Sequence, residues 1–96
     1  MKITSSSSSL SGVRIAPLPE LDGSLLVKTV SVPDPLRPGF SVYSVAAVLA
    51  CRSGFTESAF AYDVARSFTR ADFIAAVLCR AKVLPADLNL ALEQLI

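Results

Sequence analysis

Along the first third of the chain, apolar and polar positions alternate one by one. Val13 and Ile15 alternate with Arg14 and Ala16, and Leu26, Lys28 and Val30 alternate with Val27, Thr29 and Ser31. A period of two belongs to a strand whose faces meet different surroundings. Between the two runs lies Asp22-Gly23, whose glycine accepts the positive φ of a tight hairpin turn. Residues 13–32 are therefore predicted to form a β-hairpin. Pro17 and Pro19 put its first strand at an edge, because neither can donate to a ladder. A lone hairpin is barely stable in water, so this one must lie on helices or on another chain.

Pro33, Pro35 and Pro38 then make residues 33–40 a semi-rigid strap, since each fixes its own φ and pushes the preceding residue to an extended conformation. Beyond the strap the alternation gives way to an alanine-rich, apolar stretch that reads as helical from 41 to 96. Ser41 is placed to cap a helix over 41–52, ended by Gly54 at the position past the C-terminus that glycine favours. Phe40 to Val45, aromatic and β-branched, could instead begin as strand. Thr56 would cap a second helix with Phe60, Val64 and Phe68 in one stripe. Thr69 and Asp72 resemble a capping box opening a third, over 70–83, with Phe73, Ile74, Val77, Leu78 and Ala81 on one broad face. Ala75, Ala76 and Cys79 on its back make it the expected central helix, covered on both sides. Pro85 suits the first turn of a last helix, where Leu88, Leu92 and Leu95 form a stripe and Leu90 and Ile96 lie on the far side. The expected fold is thus α+β: an N-terminal β-hairpin followed by a small bundle of three or four helices. The expected layout is a Ser-rich arm over 1–12 and one small domain over 13–96.

Composition changes the picture in one respect. Apolar residues make up 52% of the 96 and charged residues only 18%, against an ordinary 45–50% and about a quarter. Mean hydropathy is +0.55. A domain this small has too much surface per unit volume to hide every apolar side chain. A contact patch for another polypeptide is the expectation. The net charge of +1 lacks the basic footprint of a nucleic-acid binder. The longest apolar run, 45–51, is far below the ~18 residues of a spanning helix, and 1–12 lacks the apolar stretch of a secretory signal. The expected location is the cytoplasm.

Chemistry is sparse. With no histidine and two cysteines, Cys51 and Cys79, far apart in sequence, no metal is expected. The cysteines could form one disulfide in a secreted protein, but as members of apolar segments they read as buried free thiols. No Gly-rich phosphate loop or nucleophile elbow occurs, so no cofactor and no enzymatic activity are expected. Residues 57–66 and 70–82 would match a helix-turn-helix with Arg66 and Arg70 toward DNA, although Phe73, Ile74 and Val77 crowd its would-be recognition helix.

Leu18, Asp22, Gly23, Val30, Val32, Pro33, Gly54, Asp72 and Phe73 carry a resemblance to the tail-assembly chaperones of long-tailed bacteriophages. The shared order is an acidic-Gly turn, a strand, a proline, a helix, a Gly-bearing turn, then aspartate with an aromatic residue, over residues 16–78. The charged pair before the proline is missing, Arg37-Pro38-Gly39 is extra, and the serine arm has no counterpart. The resemblance implies a non-enzymatic protein that sheathes a tape-measure protein and helps nucleate the tail tube, in the cytoplasm of a bacterial host cell or in a virion. From the residues alone the expectation is a protein–protein interaction protein in an assembly, oligomeric or complexed, with Val30, Tyr43, Leu90 and Ile96 as contacts. The rival readings are the DNA-binding regulator and a small inhibitor or secreted effector, whose serine arm would be ordered by its target or serve secretion.

Overall fold

A computed structural model describes residues 13–95. The reading of 1–12 as a separate arm and the choice of Ile96 as a contact lie outside the described residues. Four strands follow one another, β1 (Val13–Leu18), β2 (Gly23–Pro33), β3 (Ser41–Cys51) and β4 (Thr56–Ala65), then α1 (Phe68–Arg80) and α2 (Leu88–Leu95). Single 3-10 turns occupy Pro19–Leu21 and Pro85–Asp87. The strands pair antiparallel in the order β1-β2-β3-β4, and both helices pack on one face of this sheet. The molecule is 20 Å in its shortest dimension, two layers of secondary structure deep.

The fold is α+β, but the expected bundle of three or four helices is replaced by a four-stranded sheet and two helices. Residues 41–52 and 56–66, read as helices, are mostly β3 and β4. In β3, Val45, Ala47 and Leu49 point to the helices while Ala46 and Val48 point away. Both faces are apolar, so the period of two vanishes from the sequence. In β4, glutamate and alanine favour helix locally, and the stripe of Phe60, Val64 and Phe68 arises by coincidence of spacing. Pairing with β3 overrides both.

The hairpin of β1 and β2 forms as expected, with Ile15 opposite Leu26 and β1 at the sheet edge. Its turn works differently. Asp22, not Gly23, takes the left-handed conformation (φ 50°). Gly23 is needed for room, because a Cβ there would sit 2.5 Å from the Ala50 carbonyl oxygen across the ladder. Gly54 (φ 101°) turns β3 into β4 rather than closing a helix. The proline strap is likewise a hairpin loop, joining β2 to β3. Asp34 N–H donates to the Phe40 carbonyl at 2.9 Å, and Asp34 Oδ1 and Oδ2 accept from Leu36 N–H (2.9 Å) and Arg37 Nε (2.7 Å).

The core lies between sheet and helices. Ala16, Leu18, Leu25, Val27, Val45, Ala47, Leu49 and Ala61 meet Ile74, Ala75, Leu78, Cys79, Leu88 and Leu92. The helical layer is divided: α1 lies chiefly over β1 and β2, and the Pro85 turn with α2 over β3 and β4. Alanines at 47, 59 and 61 hold that second half close. Ser67 caps α1, its Oγ accepting from Arg70 N–H at 3.1 Å. The Thr69–Asp72 capping box does not form, because Asp72 turns inward to Arg14 (2.8 Å) and Thr29 (3.1 Å). Nor is α1 covered on both sides: its small residues Ala71, Ala75 and Cys79 face the sheet with Ile74 and Leu78, while Phe73 is exposed.

Candidate functional site

In an antiparallel ladder, directly opposed residues share a face, so register defines both sides of the sheet. The helix-facing set on β1 is Arg14, Ala16 and Leu18, on β2 Leu25, Val27 and Thr29. The other face carries a row Ile15–Leu26–Val48–Ser58 and beside it a row Val13–Lys28–Ala46–Phe60. Among the described residues no element packs on these rows. Ile15 is 63% exposed and Phe60 52%. Leu26, Val30, Ala46 and Val48 are half-buried by their neighbours in the sheet alone. Lys28 is the single charge within the two rows.

Hydrophobic strand residues ordinarily face a core, and the alternation of a half-buried strand puts polar residues on the solvated face. Here the second face is also largely apolar, through Leu26, Val30 and Val32 on β2 and Ala46 and Val48 on β3, with Lys28 the exception. At one end the open face narrows. β4 bulges opposite the step from Tyr43 to Val45, Asp63 takes a left-handed φ of 57°, and its N–H donates to Ser44 Oγ at 2.9 Å. Val42 and Ser44 are buried there. At the other end a polar row, Ser24 and Thr56 flanking Ala50, closes the patch. The result is an apolar strip bounded by hydroxyl groups.

The expected contacts scatter. Val30 lies on the open face, in an internal strand. Tyr43 is on the helix side, edge-on to Phe68 with ring centroids 6.5 Å apart. Leu90 projects from the outer side of α2, 65% exposed. The structure brings none of these three together. Ile15, Leu26, Val48 and Phe60 were missed. For Ile15 the alternation marks two faces without telling which is inward, because Arg14 breaks the apolar run on the core side. Phe60 was hidden by the helical stripe.

Arg66 follows β4 and lines a shallow cleft of about 830 Å³ with Arg37, Phe40, Tyr43 and Asp63. Arg37 is already engaged there: its hydrogen bond to Asp34 holds that carboxyl below the usual carboxylate range. Arg70 stacks near Phe73, its guanidinium carbon 5.6 Å from the ring centre. The helix-turn-helix is corrected, since residues 57–65 are strand. Cys51 and Cys79 are free thiols, and burial pushes the Cys79 thiol above its ordinary range. Asp72 is engaged at both oxygens, Oδ2 accepting from Arg14 Nη2 and Oδ1 from the Thr29 hydroxyl. Among the described residues no three His, Cys, Asp or Glu side chains gather as a metal would need. No helix among them is long and apolar enough to cross a membrane. No family model, curated protein or solved structure matches the chain.

Proposed function

We propose that this protein is a non-enzymatic interaction module that works inside a larger assembly, binding another polypeptide on the open face of its sheet. One observation carries the reading: the rows through Ile15, Leu26, Val48 and Phe60, apolar but for Lys28 and Ser58, lie on the side away from both helices. A contiguous apolar patch rimmed by polar residues is what an interface core needs before its partner arrives. The narrower role is assembly of a phage tail in the host cytoplasm. It is supported only by the residue likeness at Leu18, Asp22, Gly23, Val30, Val32, Pro33, Gly54, Asp72 and Phe73. That likeness called for a helix between Pro33 and Gly54, where β3 stands instead.

Replacing Ile15 with Ser and Val48 with Thr tests the general reading. Both changes polarise the face without touching the core. The expected outcome is several-fold weaker fluorescence of an apolar-surface dye and loss of partner capture, with the thermal midpoint nearly unchanged. Unaltered dye binding and capture would contradict it. For the narrower role, co-expression with a tape-measure protein should give a complex that the same two substitutions abolish.

A further inference from the structure

The sheet has a second unfinished surface, the outer edge of β4. Among the described residues nothing pairs with it, and it runs for 10 residues without a proline. The opposite edge strand, β1, has 6 residues and contains Pro17. An edge strand presents a row of unpaired N–H and C=O groups that natural proteins usually blunt with lysine, proline or a short length. β4 has none of these over Thr56 to Tyr62. We infer that a second copy of this chain docks here, β4 against β4 antiparallel about a two-fold axis, to join two sheets into one of eight strands.

The side chains select both the partner and the register. With Ala59 on the axis, Phe60 lies opposite Ser58 of the second copy, Tyr62 opposite Thr56, and Ala61 opposite Glu57. Each large or charged side chain then meets a small or hydroxyl-bearing one, and aromatic–threonine neighbours are favourable across strands. Moving the axis to Phe60 would set Glu57 against Asp63, a like-charge pair that destabilises a ladder. Moving it to Ala61 runs the pairing into the bulge near Asp63. Of these three registers, only the one on Ala59 avoids both the like-charge pair and the bulge. It is also isologous, so the contact closes on itself rather than propagating into a fibre. Phe60, 52% exposed, would lie diagonal to its counterpart at the seam, with a Tyr62 toward either end, making one wide apolar surface from two narrow ones. The inference extends the proposed assembly role but uses a different surface, the strand edge rather than the sheet face.

Sedimentation of the full chain over a concentration series tests it, together with hydrogen exchange. The expected result is a mass rising to twice the 10.1 kDa of one chain, with amides of 56–62 exchanging more slowly as the dimer fills. Thr56→Lys with Ser58→Lys, both on exposed positions, should raise the dimer dissociation constant at least tenfold and leave the thermal midpoint of the monomer in place. Ile15→Ser with Val48→Thr should leave the dimer intact. A monomer at every concentration, or a dimer indifferent to the two lysines, would overturn the inference. Neither result bears on the sheet-face reading, which the dye and capture measurements judge separately.

Discussion

At the helix-facing side of β1, Arg14 occupies a place that strand parity reserves for an apolar side chain. Its guanidinium is kept there by Asp72, 2.8 Å away on α1, and Asp72 also accepts from the Thr29 hydroxyl at 3.1 Å. Three elements are tied by one carboxylate. The Arg14 Nε is buried with no hydrogen-bond partner, so the group depends heavily on what Asp72 supplies. Asp72→Ala would leave two donors without their acceptor, and Arg14 is partly solvated, its side chain 41% exposed. A loss of about 1 to 2 kcal/mol is expected, read as a lower urea midpoint with unchanged slope. Adding Arg14→Leu should restore part of it, because the unpaired charge is then gone. A change below about 0.5 kcal/mol, ordinary for surface positions, would mean the three groups are not coupled.

The elements end by hydrogen bonding more than by hydrophobic pattern. After α1, Lys82 N–H reaches the Cys79 carbonyl at 3.0 Å and Val83 N–H the Leu78 carbonyl at 3.0 Å. This is a Schellman closure, with Lys82 at the left-handed position (φ 56°) that glycine normally fills. Lysine pays a steric penalty there of about 1 to 2 kcal/mol, and glycine would remove it at some cost in unfolded-state entropy. Lys82→Gly is expected to raise stability by about 0.5 to 1 kcal/mol, seen as a thermal midpoint several degrees higher. A lower midpoint would show that the Lys82 side chain holds contacts worth more than the backbone strain.

Over the whole molecule, the division of the helical layer makes β3 and β4 dependent on the C-terminal segment. Pro85, Leu88 and Leu92 are buried over that half of the sheet. Truncating one buried leucine costs about 2 to 5 kcal/mol, and a 96-residue domain has roughly 5 to 10 kcal/mol in all. Losing both leucines and the proline together therefore consumes the entire margin. A chain shortened to end at Leu84 is expected to show no cooperative thermal transition and strong binding of an apolar-surface dye. A sharp transition within a few degrees of the full chain would show that α1 alone suffices to cover the sheet.

What the sequence determined by itself was whatever depends on a residue and its near neighbours. The β1–β2 hairpin, α1 to within a turn, the leucine stripe of Leu88, Leu92 and Leu95, and the excess of apolar side chains over places to bury them were all legible. Tertiary structure decided the rest. Whether 41–65 became helix or sheet turned on pairing with β2, a partner that local propensity does not register, and alanine suits either state when something packs close against it. Which side of β1 faced inward turned on Asp72, distant in the chain, neutralising Arg14. The open apolar face exists only once four strands lie in register, because a row across a sheet draws its members from separate strands and leaves no trace along any one of them.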